Sequence, residues 1–157
     1  MSESRSNLLM PFVDGLRVVL GTMCDSEIQA GKPFVKGTVE TPNIDIASYI
    51  SLAGTKLTGA IVLKFPEKTY LGLVSKMLGE NFDQINSEIS DGAGEIINQI
   101  YGHGKTILNQ QGFDLERSLP KVLLGQNINV SIYSSSPVIV MPIQTPSGEL
   151  FMEFYLG

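Results

Sequence analysis

Glu95 and Asn98 stand three positions apart in the stretch Ser87–Lys105, which reads SEISDGAGEIINQIYGHGK. Residues at this spacing on a helix are neighbours that project together. The amide can accept one hydrogen bond and donate another, and the carboxylate can pair with a cation. The two residues do not form an ion pair with each other, so helix stability does not explain them. The pair is therefore a candidate site for binding or catalysis.

The stretch around this pair has the pattern of one long helix, which we predict over Ile85–Gln111. With Asp91 at zero and about 100° per residue, one narrow stripe of the helix is polar. The opposite side is a broad apolar stripe of isoleucine and alanine, typical of a helix packed on a core. The plainest interpretation of the polar stripe is a solvated face. Its members, all within about 40° of Asp91, are Glu95, Asn98, Gly102, Lys105 and Asn109.

Four glycines, at positions 92, 94, 102 and 104, weaken this helix. Each costs roughly 0.8–1 kcal/mol relative to alanine, which is substantial against a total stability of about 5–15 kcal/mol. Gly102 lies in the polar stripe one turn beyond Asn98, where bare backbone would let another protein approach, and Gly94 borders the same stripe. We expect Gly104 to permit close packing between helix and sheet. The sequence offers no reason for Gly92.

The rest of the chain predicts two more helices and several strands. Apolar spacing indicates a helix from near Met10 and another over Glu67–Leu78. Runs of β-branched and aromatic residues indicate strands within 35–39, 44–54, 56–65, 127–134, 137–145 and 149–156, and 112–125 is mostly connection. Strands grouped by short turns imply the α+β class: a largely antiparallel sheet with helices packed on it, one long helix carrying the site, in a single domain over 1–157.

Composition narrows the classes of partner. The formal net charge is −5, and the 11 Lys and Arg residues form no run, which argues against nucleic acid and against an anionic membrane surface. Cys24, the only cysteine, cannot form an internal disulfide, and no apolar window suits a signal peptide or a membrane span. We expect a cytoplasmic protein. His103 is the only histidine, so no set of residues at metal-ligand spacing indicates a metal of its own.

Four residues resemble a known signature. Asp91 is followed four positions later by Glu95, then by Asn98 three positions on, and by Pro120 twenty-two positions after that. This pattern resembles the signature of the CheC, CheX and FliY family of chemotaxis phosphatases. The stretches 10–23 and 49–80 are also similar to the family's first helix and to its glycine-bearing hairpin with the following helix. Because one Glu-x-x-Asn element is present, the chain is most like CheX.

The resemblance implies an activity, a partner and roles. The reaction is hydrolysis of the aspartyl phosphate on a CheY-like response regulator, which itself supplies Mg²⁺, so the chain needs no cofactor of its own. Asn98 would orient the attacking water, because a carboxylate there would repel the phosphoryl group, and Glu95 would pair with the regulator's active-site lysine. Pro120 would shape the loop after the helix. The partner-binding residues would be Asp91, Glu95, Asn98, Gly102 and Lys105.

Two other functions stay open at this point. The same fold could be a non-catalytic binding module that docks a response regulator or a flagellar switch protein, or a structural subunit of a larger assembly. The resemblance also implies a homodimer formed by joining sheets. The C-terminal run 151–156 would be an aggregation-prone edge if it were left unpaired.

Overall fold

The computed structural model describes residues 3–130, 132 and 134–157, which form three helices and a seven-stranded sheet. The helices are α1 (Glu3–Met23), α2 (Glu67–Leu78) and α3 (Ser87–Gln110). The strands are β1 (Gln29–Ala30), β2 (Phe34–Val35), β3 (Ile46–Ala53), β4 (Thr58–Phe65), β5 (Lys121–Leu124), β6 (Ile139–Thr145) and β7 (Gly148–Leu156). Their order is β1-β6-β7-β4-β3-β5, with β2 also paired to β6, and all pairs are antiparallel. The predicted α+β class is confirmed.

The helices cover one face of the sheet. Side chains alternate along each strand, so Ile61 and Leu63 of β4 point into a core shared with all three helices. Val62, between them, joins a second cluster on the other face with Phe151 and Tyr155 of β7. This arrangement leaves the outer side of α3 free to carry a site. Within the described residues, no helix combines the length and apolar character required to cross a bilayer.

The helix predictions were close, with one difference at the start of the chain. α2 begins and ends where predicted, and α3 is within two residues of its predicted bounds at each end. α1 begins at Glu3 rather than near Met10, so Pro11 lies inside the helix instead of in its first turn. Proline has no N–H, and one backbone hydrogen bond of α1 is therefore missing there.

One strand near the C-terminus was not predicted. β5 lies inside 112–125, which was predicted as mostly connection, and among the described residues it pairs only with β3. Its sequence, KVLL, does not alternate between polar and apolar residues, and its side chains are mostly exposed. Positions 131 and 133 of the predicted strand 127–134 lie outside the described residues, and the described positions of that run form no strand.

The C-terminal run is not an edge. β7 pairs with β6 on one side and with β4 on the other, so it lies in the middle of the sheet. The edges are β5 at one end and the short β1 and β2 at the other. The concern about an unpaired C-terminal strand therefore does not apply, and the predicted dimer has no support from it.

Candidate functional site

The orientation of α3 is fixed at its start and along its length. The side chain of Asn86 accepts a hydrogen bond from the N–H of Ile89 at 3.1 Å, which caps the helix. The predicted apolar stripe is buried over most of its length: Ile89, Ala93, Ile96, Ile100 and Gly104. Because that side packs on the core, the opposite side of the helix faces outward.

Glu95 and Asn98 are both exposed on this outward side, together with Asp91 and Gly102. The Gln99 amide donates a hydrogen bond of 2.8 Å to a Glu95 carboxylate oxygen. This bond fixes the position of the carboxylate about one helical turn before Gln99. Within the described part of the chain, the side-chain amide of Asn98 makes no hydrogen bond. A donor and an acceptor are thus presented to solvent beside a positioned carboxylate.

Gly102 is the open glycine of the helix. A Cβ added there would meet nothing within 4 Å, so the chain's own packing does not require a glycine. Gly94 differs, because it is buried and its Cβ would lie 3.2 Å from Val122 Cγ2 and 3.8 Å from Pro120 Cγ. The bare backbone at Gly94 admits β5 and the preceding loop, whereas the bare backbone at Gly102 lies open on the surface.

Gly104 and Gly92 serve helix–helix contacts. A Cβ at Gly104 would collide with the ring of Phe12 on α1, so the expected contact with the sheet was wrong and the contact is with another helix. A Cβ at Gly92 would lie 2.9 Å from both Tyr70 Oη and Met77 Cε of α2. Close helix approach therefore explains both residues.

The loop after α3 folds back against the helix and is tied to it. The Asn109 amide donates to the Leu115 carbonyl at 3.2 Å and accepts from the Leu115 N–H at 2.6 Å. The Tyr101 hydroxyl donates to the Glu116 carbonyl, and burial, with a smaller effect of Glu116, raises the pKa of this phenol. Asn109, which belongs to the predicted polar stripe, therefore has a structural role: it holds the loop against α3.

This loop makes one wall of a cleft that contains Asn98. The cleft has a volume of about 260 Å³. It is lined by Asn98, Tyr101, Gly102, Lys105, Arg117, Ser118 and Leu119, and we call it the Asn98 cleft. Arg117 and Leu119 lie in the stretch 112–125, which is predicted as mostly connection. The one feature of the sequence that could have pointed to them is a single leucine that stands between polar residues and Pro120.

His103 lies off the polar side. It packs against α1, where a Cβ added to Gly15 would be 3.2 Å from His103 Cβ. Within the described residues, no group of three or more His, Cys, Asp or Glu side chains is arranged to hold a metal ion.

Comparison with known proteins identifies the family. The model of the family described as "Chemotaxis phosphatase CheX" matches residues 46–144, which is more than half of the chain and includes all of α3 and Pro120. The chain belongs to the CheX family. None of the curated proteins compared with this CheX-family chain matches it.

Solved structures agree with this assignment. The chemotaxis protein CheX from Vibrio vulnificus is 30% identical, with a TM-score of 0.87 over 96% of this chain and 99% of that one. A chemotactic CheC-like protein from Shewanella oneidensis is 33% identical, with a TM-score of 0.86 over 98% and 99% of the two chains. A chain of the CheX–CheY–BeF₃–Mg²⁺ complex from Borrelia burgdorferi shares the fold at 24% identity and a TM-score of 0.79, over 95% of this chain and 97% of that one.

Proposed function

We propose that this CheX-family chain hydrolyses the aspartyl phosphate of a CheY-like response regulator. The observation that carries the proposal is the pair of exposed side chains on α3, Glu95 and Asn98, beside an open glycine backbone. The similar fold in the CheX–CheY complex from Borrelia burgdorferi supports a regulator as the partner, and BeF₃ and Mg²⁺ belong to that complex. We expect Mg²⁺ here to come with the regulator as well.

In the proposed reaction the chain contributes position rather than a covalent nucleophile. Water attacks phosphorus while the bond between phosphorus and the aspartate oxygen breaks. Aspartate leaves as a carboxylate, and the inorganic phosphate that is released keeps the oxygen and the protons of the water. Such transfers are accelerated mainly by placing the nucleophile in line and by compensating charge. The Asn98 amide accepts a hydrogen bond from the attacking water and has N–H groups left to donate. Being neutral, it adds no repulsion toward the phosphoryl group.

Glu95 sets the depth and register of docking. Its carboxylate, held by Gln99 at 2.8 Å, pairs with the lysine of the regulator's active site. A desolvated ion pair of this kind fixes orientation as much as it adds affinity. Asp91 toward the start of α3 and Lys105 toward its end contact the rim of the regulator, while Gly102 lets the two backbones approach.

A dephosphorylation time course with a phosphorylated CheY-like regulator tests the proposal. We expect Asn98→Ala to bind the regulator but to lose about 100-fold in rate, since small misplacement of a reacting water costs about that much. Glu95→Ala should lose affinity as well. Gln110→Ala is the matched control for the amide, because it is exposed on α3 but about 18 Å further along the axis. Glu27→Ala, exposed near the opposite sheet edge, is the control for the acid.

The alternative function predicts a different result. A binding module that lacks catalysis would bind the regulator and leave its dephosphorylation rate unchanged. Equal rates for wild type, Asn98→Ala and Glu95→Ala would contradict the assignment of the site.

A further inference from the structure

We propose that Arg117–Leu119, which we call the wall segment, is a second docking element for the phosphorylated regulator. Leu119 packs on an apolar patch next to the regulator's active site, and Arg117 faces the negative charge around the phosphoryl group. The inference rests on the proposed function and extends it from the helix to the loop.

Leu119 is unusual for its location in the Asn98 cleft as well as for its exposure. Leu119 is 78% exposed, more than any other large apolar residue in the described part of the chain. A single exposed leucine is ordinary on a protein surface. This one lines the same cleft as Asn98 and Gly102, so a partner that reaches Asn98 meets Leu119 as well.

The residues that flank the wall segment on both sides are held in place before any partner arrives. Two hydrogen bonds join Asn109 to Leu115, and the Tyr101 hydroxyl bonds the Glu116 carbonyl. On the other side, Pro120 lies against the bare backbone of Gly94. A loop ordered in advance loses little entropy on binding, which raises the affinity that an exposed side chain can contribute.

The charge of the cleft suits an anionic partner. The chain as a whole carries a formal net charge of −5, yet Lys105 and Arg117 line the Asn98 cleft and none of its lining residues is acidic. A local positive field steers an anionic group into the cleft and favours the phosphorylated over the unphosphorylated regulator. Glu95 is not among the lining residues and precedes Asn98 on α3, whereas Tyr101, Gly102 and Lys105 of the cleft follow it, so the ion pair proposed for Glu95 lies on the other side of Asn98. The regulator is therefore held on both sides of the amide.

Affinity for a CheY-like regulator loaded with beryllofluoride and Mg²⁺ tests this inference by calorimetry. We expect Leu119→Ala to weaken binding about tenfold, as truncation of an interface anchor does, and Leu119→Met to bind nearly as wild type. Arg117→Gln should weaken binding about threefold to tenfold and reduce the dependence of affinity on salt. Val39→Ala is the control, since Val39 is 53% exposed and lines a cavity with Val140 of the opposite sheet face; its affinity should not change.

The outcomes separate this inference from the proposed function. If wild type accelerates dephosphorylation and Asn98→Ala does not, but Leu119→Ala and Arg117→Gln bind as tightly as wild type, the wall segment is not a docking element and the proposed function stands. If wild type binds the regulator without accelerating hydrolysis, the proposed function fails, and a loss of affinity in the Leu119→Ala variant still supports the wall segment. Absence of any binding by wild type overturns both.

Discussion

Replacing Gly102 by alanine should make the protein more stable and a poorer partner for the regulator. Gly102 is exposed in the interior of α3, and a Cβ there meets nothing within 4 Å. The change should therefore raise the free energy of unfolding by about 0.8–1 kcal/mol, the difference in helix propensity. In a chain of this length that corresponds to a melting temperature about 2–4 °C higher.

The same substitution should weaken binding of the regulator. The added methyl group projects from the exposed side of the helix between Asn98 and Lys105, where the proposed partner packs closely. Forcing a methyl group into a well-packed contact costs about 1–3 kcal/mol, which is about 5- to 150-fold in affinity. Dephosphorylation at a subsaturating concentration of regulator should fall by a similar factor.

Two other glycines provide matched variants for melting curves and calorimetry. Gly21→Ala on α1 also adds a Cβ with nothing within 4 Å, so it should not lower stability and should leave affinity unchanged. Gly104→Ala, two residues beyond Gly102, should lower stability, because its Cβ collides with the buried ring of Phe12. If Gly102→Ala stabilises the protein and binds the regulator like wild type, the close approach inferred at this glycine is wrong. A lower melting temperature for Gly102→Ala would refute the claim that position 102 is an open helical position at which alanine is more stable than glycine.

Three further predictions concern stability and assembly. Ser48→Ala should raise the free energy of unfolding by about 1 kcal/mol in urea titrations, because the Ser48 hydroxyl is fully buried with no hydrogen-bond partner among the described residues. Stability should fall as pH rises above 9, since burial, opposed weakly by Lys76, raises the pKa of the Cys24 thiol from 9.0 to about 11. The folded chain then keeps a proton that the unfolded chain releases, a difference of about 2–3 kcal/mol by pH 11. Light scattering at micromolar concentration should give the mass of a dimer, through the sheet edges at β5 or at β1 and β2.

Each of these three predictions has a control variant or an outcome that would contradict it. Ser26→Ala should destabilise the protein, because the buried Ser26 hydroxyl donates to the Cys24 carbonyl at 2.8 Å; equal effects of the two serine changes would contradict the reasoning. Cys24→Ala should make the fall in stability between pH 9 and 10 less steep than in wild type, because the tyrosines contribute equally to both proteins. An unchanged slope in that variant would exclude the thiol as the cause. A monomer by light scattering would contradict the dimer.

The helices could be predicted from the sequence because their information is local. The period of the apolar residues set the bounds of α2 and α3, and the same period placed Glu95 and Asn98 on the outward side. The role of Gly104 could not be predicted, since it depends on Phe12 of α1, far away along the chain. The partner of Asn109, Leu115, is only six residues further on, but nothing in the sequence marks that the loop after α3 turns back against the helix. Arg117 and Leu119 were missed for the same reason, because nothing within 112–125 says that it returns beside Asn98.

The order of the strands in the sheet could not be predicted from the sequence pattern either. β5 is short and mostly exposed, and among the described residues it pairs with β3 alone, so this pairing specifies it more than its own composition does. The apolar run that became β7 was predicted as a strand, but its place between β4 and β6 is a property of the whole sheet.

The central position of β7 has a consequence for synthesis of the protein. The hairpin of β3 and β4 emerges from the ribosome early. Among the strands of the described residues, β7 alone connects this hairpin to β6, and it follows all of the others along the chain. The two halves of the sheet therefore stay separate until residues 148–156 leave the exit tunnel, and the backbone N–H and C=O groups along one edge of β4 and one edge of β6 lack their partner until then. Folding is completed after translation of this strand, and a premature stop codon before it would leave a chain unable to close its sheet.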